Sequence, residues 1–232
     1  MQQAPSGGFA GPPPFDDIQD AAVARHGAEA LRARLAVPKT EAALRETPND
    51  RYLSQMSLRI FRAGLKHELV DRKWPVFEEV FHAFDPARCA GLYDEDIEAL
   101  LADRRLIRHL GKLRAVRANA GAMLEIVGQH GSFGTWLAAW STGDIVGLWA
   151  FLAKRFSQLG GNSGPYFLRM VGKDTFIPSD SVVHALVHWG VLTSAPTTKG
   201  ERAAIQRAFD RWADETDLPL CQLSQILALS VD

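Results

Sequence analysis

Apolar residues recur at helical spacing along most of this chain. In the segment RYLSQMSLRIFRAGL, for example, Tyr52, Met56 and Ile60 would share one face of a helix. No segment shows the sustained alternation of apolar and polar positions that is typical of a half-buried strand, and the extended stretch at residues 176–178 is short. The pattern therefore predicts an all-α fold with about ten helices.

Capping residues, prolines and glycines predict where the helices begin and end. We expect Gly27 to break the first helix, Pro75 to start the helix at residues 74–84, and Asp144 to cap the helix at residues 145–159. Asn49 and Asp50 offer an N-cap for the helix at residues 51–65. The predicted helices cover residues 17–35, 40–46, 51–65, 74–84, 97–102, 104–131, 133–140, 145–159, 163–171, 180–189, 199–215 and 220–229.

The first 16 residues differ from the rest of the chain. They are rich in proline and glycine and include the run Pro12–Pro14, so they cannot bury enough apolar surface to offset the entropy of ordering. We predict a disordered tail at residues 1–16 and a helical domain at residues 17–232.

Composition excludes several protein classes. The chain has 232 residues, of which 47% are hydrophobic and 23% charged, as in ordinary globular domains. It contains no apolar run of about 18 residues and no secretory signal pattern. Cys89 and Cys221 form neither a disulfide framework nor a zinc-ligand spacing, which favours a reducing, cytoplasmic compartment. The formal net charge of −1 argues against a protein that coats DNA, but it leaves room for a local basic face.

A glycine-rich turn, LGGNSG at residues 159–164, lies between two predicted helices. Gly160 and Gly161 permit a tight turn and close approach of another backbone, and Ser163 can cap the following helix. Amides at such a helix start can bind a DNA phosphate. We therefore predict a DNA-binding helix-hairpin-helix unit at about residues 145–171, with Gly164 also at the interface. The alternative is an ordinary glycine junction between packed helices.

Asp180 stands alone at the start of the next predicted helix. Cleavage of the bond between a base and its sugar builds positive charge on the sugar, which a nearby carboxylate stabilises while it orients or deprotonates water. The alternative is that Asp180, which follows Ser179, merely caps its helix.

Residues 159–186, which include the turn and the stretch PYFLRMVGKDTFIPSD, resemble the helix-hairpin-helix superfamily of base-excision DNA glycosylases. The resemblance implies two helical lobes with a cleft between them and makes Asp180 the catalytic carboxylate. Members with lyase activity have a lysine in the hairpin that forms a Schiff base. Asn162 stands at that position, and an amide cannot be this nucleophile, so the resemblance implies a monofunctional enzyme that uses water.

Residues 57–125 resemble the DNA-3-methyladenine glycosylase I family, through SLRIFRAGL, FHAFDPARCAGLYDEDIEALL and LIRHLGKLRAVRANAGAML. That family has a zinc site near its termini, but the cysteine and histidine clusters for it are missing here. His184 and His188 have no second pair of ligands, so we expect no metal and no cofactor. Arg59 and His67 occupy the positions at which the family reads the damaged adenine with a glutamate and an aromatic residue.

A glycosylase must hold the flipped base between flat side chains. The candidates for a base pocket are Arg59, Phe61, His67, Trp74 and Tyr166. The alternative, which their type favours for Phe61 and Trp74, is that these two are core residues, and Arg59 is equally suited to the surface.

The stretch 104–117 is rich in arginine and lysine and has no acidic residue. Arg104, Arg108 and Lys112 would line one helical stripe that contacts phosphates, unless the stripe is only a solvated face. Lys173 is a further phosphate candidate.

Together these features predict a monomeric, monofunctional DNA glycosylase that removes damaged, alkylated purines from double-stranded DNA. It would act in the cytoplasm at the nucleoid, without a membrane or a cofactor. Three alternatives remain: a glycosylase for a deaminated or oxidised base, a non-catalytic DNA-binding protein of the same fold, and a helical interaction module.

Overall fold

The computed structural model describes residues 12–232, and in this part of the chain the predicted all-α fold is confirmed. These residues form fourteen α-helices and no strand. The predicted tail lies outside the described residues as far as residue 11. The helices are α1 Phe15–His26, α2 Ala28–Arg32, α3 Glu41–Glu46, α4 Asn49–Arg62, α5 His67–Val80, α6 Pro86–Ala90, α7 Asp94–Ala102, α8 Leu110–His130, α9 Phe133–Ala139, α10 Ile145–Arg155, α11 Ser163–Val171, α12 Asp180–His188, α13 Lys199–Thr216 and α14 Leu220–Leu229.

The chain divides into two compact units. One unit consists of residues 12–37 together with residues 176–232, and thus contains α1, α2 and α12 to α14. The other unit is the continuous segment 38–175, which contains α3 to α11. The cleft expected between two lobes stays a prediction.

The first unit is built on aromatic residues from both of its segments. Phe176 stacks on Phe209 with ring centroids 4.1 Å apart, and Trp212 contacts both Phe209 and Phe15. Phe15 is buried, and α1 therefore begins two residues before the predicted helix start, inside the stretch that was assigned to the tail. That boundary was wrong because burial of one phenylalanine orders the end of a proline-rich segment.

In the second unit, α4 packs against α8 and α11, and a row of aromatic rings extends from Trp74 through Phe77 to Phe81 and Phe84. The prediction that Pro75 starts a helix is wrong, since α5 begins at His67 and contains Pro75. Proline removes one helical hydrogen bond, but the buried face of Val70 and Phe77 holds the helix together.

Two further predicted boundaries are wrong. Residues 103–109 are not helical, and α8 starts only at Leu110, so Arg104 and Arg108 do not form a stripe with Lys112. Helix α4 begins at Asn49, whose side chain accepts a hydrogen bond from the Phe133 amide at the start of α9 instead of capping its own helix.

Among residues 12–232, no single helix is long and apolar enough to cross a membrane. One pair of segments has the length and apolar composition of a span only when the two are taken together, and this pair is bent by 89°: Phe133–Ala139 and Thr142–Arg155.

Candidate active site

The predicted hairpin consists of α10, the loop 156–162 and α11. Helix α10 ends at Arg155, four residues earlier than predicted, because the buried Phe156 adopts an extended conformation. Gly160 and Gly161 are exposed at the tip, and Gly161 has a φ of +56°, which favours glycine. In the described chain neither of their amides donates a hydrogen bond to another group. The tip therefore presents free amide donors of the kind that bind a phosphate.

Two predicted contacts in the hairpin need correction. Ser163 is the first residue of α11, with Asn162 in the capping position, and the Ser163 amide donates to the Gly160 carbonyl. Gly164 is buried, and a side chain at this position would lie 3.1 Å from the carbonyl oxygen of Leu159. Gly164 thus serves the packing of α11 on the loop, and it is not a DNA contact.

The hairpin loop is fixed to α8 by two side chains that the sequence analysis missed. The buried Asn119 accepts a hydrogen bond from the Ser157 amide (2.7 Å) and donates one to the Ser157 carbonyl (3.1 Å). Gln158 donates to the Gly111 carbonyl at 2.8 Å. A polar asparagine among the apolar positions of α8 was the available signal, because a buried amide needs partners.

The segment from the hairpin to Asp180 is held in place by hydrogen bonds within each unit. In the second unit, Arg169 donates to the Thr175 carbonyl at 2.8 Å, and the Trp149 indole donates to the Thr175 hydroxyl. In the first unit, the Ile177 amide donates to the Ser224 hydroxyl at 3.1 Å. The chain thus reaches Asp180 through a well-anchored stretch.

Asp180 is exposed at the first position of α12. The cap of this helix is Ser179, whose hydroxyl accepts from the Val182 amide at 3.3 Å. No ion pair or side-chain hydrogen bond within residues 12–232 engages the Asp180 carboxylate. The carboxylate is therefore free for another task, and the positive end of α12 favours a negative charge there.

Of the five predicted pocket residues, the structure brings Arg59 and Tyr166 into direct contact. The guanidinium carbon of Arg59, in the last turn of α4, lies 4.7 Å from the centre of the Tyr166 ring on α11. Both side chains are partly exposed.

The other three pocket candidates have different environments. Phe61 is fully buried and cannot line a pocket, because it packs edge-on against Phe77. Trp74 is half-buried, stacks on Phe77 and donates to the Ser54 hydroxyl. Its ring is thus largely committed to the protein core. His67 is exposed at the first residue of α5.

The prediction that Lys112 and Lys173 bind phosphates is wrong, because both side chains are buried. Lys112 is 6% exposed and donates to the carbonyls of Phe61 (3.2 Å) and Ala63 (2.6 Å), at the end of α4. Lys173 is 5% exposed and donates to the Trp140 carbonyl. Burial lowers the pKa of each ammonium group. By contrast, Arg104 and Arg108 are exposed in the segment before α8.

The described residues contain no cluster of metal-ligating side chains, and both cysteines are buried. No group of three or more His, Cys, Asp or Glu side chains in residues 12–232 is arranged to hold a metal ion. Cys89 and Cys221 are both buried as free thiols. Burial raises the pKa of the Cys89 thiol to about 12, so this sulfur is a poor nucleophile at neutral pH.

Comparison with known proteins identifies relatives for part of the chain. Residues 43–150 match the methyladenine glycosylase family. DNA-3-methyladenine glycosylase 1 of Escherichia coli is 34% identical over 92 residues, which are 40% of this chain and 49% of that protein. The chain thus spans about half the length of this relative. The matched residues include Arg59 and end within α10, before the hairpin loop and Asp180.

Two solved structures resemble the fold. The 8-oxoguanine DNA glycosylase of Methanocaldococcus jannaschii aligns with a TM-score of 0.55 and 15% sequence identity, and the alignment covers 90% of this chain and 89% of that protein. The 3-methyladenine DNA glycosylase I from Staphylococcus aureus aligns with a TM-score of 0.51 and 20% sequence identity, and the alignment covers 66% of this chain and 92% of that protein. Residues 43–150 are thus related in sequence to the methyladenine glycosylase family, and the fold is that of the helix-hairpin-helix DNA glycosylases.

Proposed function

We propose that this protein is a DNA glycosylase that hydrolyses the bond between a damaged, alkylated purine and its deoxyribose. The observation that carries the proposal is the exposed, unpaired carboxylate of Asp180, which follows a hairpin with free amides at its tip. The sequence match at residues 43–150 supports the alkylated lesion class.

In the proposed reaction, the hairpin amides and the exposed Arg104 and Arg108 bind DNA phosphates, and the lesion leaves the base stack. The bond between the base nitrogen and the sugar carbon breaks, and its electron pair goes to the base. Asp180 stabilises the positive sugar while the oxygen of water bonds to the same carbon. One water proton is lost to Asp180 or to the base nitrogen, and the product is an abasic site.

We propose that the enzyme is monofunctional. The hairpin loop contains Asn162 and no lysine, and the lysines Lys112 and Lys173 are buried against carbonyl oxygens. The hairpin loop at residues 156–162 thus presents no lysine amine that could form a Schiff base with the sugar. The proposed partner is double-stranded DNA with a damaged base, bound by a monomer at the nucleoid in the cytoplasm.

The test is abasic-site formation on duplexes that each carry one alkylated purine, with Asp180→Asn as the variant. We expect the variant to lose about a thousandfold in single-turnover rate, since it keeps the shape but not the charge of the side chain. Its affinity for DNA should be unchanged. Asp214 on α13 is also an exposed carboxylate, so Asp214→Asn is the matched control and should retain full activity.

Absence of abasic sites at every alkylated purine, with salt-sensitive DNA binding intact, would sink the enzymatic proposal and favour a DNA-binding protein of the same fold. Strand cleavage by the wild-type enzyme that borohydride traps as a covalent adduct would contradict the monofunctional assignment.

A further inference from the structure

Helix α4 carries three arginines in different electrostatic environments. Arg51 pairs with Glu78 at 3.0 Å, and Arg62 pairs with Asp71 at 2.8 Å. Arg59, between them, takes part in none of the ion pairs within residues 12–232. Its Nε atom is buried and has no hydrogen-bond partner. Arg59 is thus the arginine of this helix that lacks a carboxylate.

The surroundings of Arg59 add positive charge and do not cancel it. Burial lowers the pKa of Arg59, and repulsion from Arg62 lowers it further. Arg59 in turn repels the Lys112 ammonium and lowers the pKa of that group. The contact that holds the guanidinium is the face of the Tyr166 ring, which supplies attraction without a hydrogen-bond acceptor. A partly buried cation without an anion is costly, so the free donors are best explained by a ligand that supplies acceptors.

We propose that Arg59 sets the lesion preference of the site: it selects neutral bases that present hydrogen-bond acceptors and disfavours bases with a formal positive charge. This inference rests on the proposed glycosylase function. Tyr166 belongs to the hairpin helix, so the Arg59–Tyr166 pair lies on the element that follows the DNA-binding tip. A guanidinium on an aromatic ring also forms a flat surface on which a flipped base can stack.

The chemistry of the leaving base gives Arg59 a second effect. When a neutral base departs, the electron pair of the broken bond places negative charge on its ring, and a guanidinium donor stabilises that charge. The base then takes one proton of the attacking water, and the hydroxyl remains on the sugar. A cationic base becomes neutral on departure, so it gains nothing from Arg59 and is repelled in the bound state.

Two methylated guanines of different charge test this inference. O6-methylguanine is neutral and keeps its ring nitrogens as acceptors, whereas 7-methylguanine is cationic. We expect wild-type protein to excise O6-methylguanine faster. Arg59→Gln should lower that rate about tenfold to hundredfold, the loss typical of one charge-assisted hydrogen bond, and Arg59→Glu should reverse the preference. Arg45→Gln, which removes an exposed charge on α3, is the control and should keep the wild-type ratio.

A second measurement separates this inference from the proposed function. The affinities of the Asp180→Asn protein for the two duplexes report lesion preference without turnover. If binding prefers one lesion and this preference depends on Arg59, but the protein with Asp180 intact excises neither base, the role of Arg59 is supported and the glycosylase proposal is overturned. Excision with a ratio that Arg59→Gln leaves unchanged would overturn the role of Arg59 alone.

Arg59 would instead be a phosphate contact if Arg59→Gln weakened binding of undamaged and damaged duplexes equally and reduced the salt dependence by about one ion. That result would also overturn the inference. Thermal unfolding of each variant, monitored by circular dichroism, identifies any that have lost the fold, and Arg59→Lys provides a variant that keeps the charge.

Discussion

Lys112 and Arg108 are four residues apart in the sequence, yet they have opposite environments. The Lys112 ammonium closes the end of α4 by binding two carbonyls that have no partner within the helix. Arg108 is exposed before α8 begins. The same positive charge is therefore structural in one residue and exposed to solvent in the other.

Replacing each residue by methionine should separate these roles. Lys112→Met leaves the carbonyls of Phe61 and Ala63 unsatisfied, and we expect a loss of about 1–3 kcal/mol in the free energy of unfolding. Urea denaturation measures this loss. The salt dependence of DNA binding should not change. Arg108→Met should leave the free energy of unfolding unaltered. It should reduce the slope of log affinity for DNA against log salt concentration by the amount expected for about one phosphate contact. Equal salt slopes in the two variants would contradict the assignment of Arg108.

For a single residue, the sequence indicates which reactions its side chain can support better than it indicates whether that side chain is buried. The resemblance to the glycosylase superfamily implies a catalytic role for Asp180, which stays a prediction. The structure adds that Ser179 caps α12, so that the Asp180 carboxylate is not used as the cap. The buried states of Lys112 and Lys173 could not be foreseen, because they depend on which carbonyls the neighbouring helices bring within reach.

At the scale of elements, strong local signals located several helices well. The bounds of α11 and α14 agree with the prediction, since a glycine or proline marks at least one end of each. The end of α10 was missed because burial of Phe156 is decided by tertiary packing. The same holds for the hairpin loop, whose conformation is imposed from outside by Asn119 on α8.

The hairpin should therefore loosen when Asn119 is changed. Asn119→Leu removes both partners of the Ser157 backbone, and we expect a loss of about 1–3 kcal/mol in stability. Hydrogen exchange should accelerate at the hydrogen-bonded amides of Ser157 and Ser163, and DNA affinity should fall. Gln158→Ala removes only the exposed bond to Gly111 and serves as the comparison, with a smaller effect. Unchanged exchange in Asn119→Leu would show that the loop holds its shape without α8.

At the scale of the whole molecule, the unit that bears Asp180 is assembled from both ends of the described chain. Helix periodicity gave no indication of this pairing, because it reports which face of a helix is apolar and not which distant helix covers it. Phe15 packs against Trp212, and the Trp212 indole donates to the Pro13 carbonyl at 2.9 Å. The stability of this unit thus depends on residues far from Asp180 in sequence.

This dependence predicts that a change near the N-terminus will affect activity through stability. Phe15→Ala removes a fully buried ring from α1 and should lower the free energy of unfolding by about 3–5 kcal/mol. Asp20→Ala, on the exposed face of the same helix, should change stability little. Excision rates measured at low temperature, where the variant remains folded, should equal those of wild type, because Phe15 takes no part in the proposed chemistry. On heating, activity should disappear together with the circular dichroism signal, at a lower temperature than in Asp20→Ala. A rate that falls at low temperature while the fold persists would mean that α1 also positions Asp180.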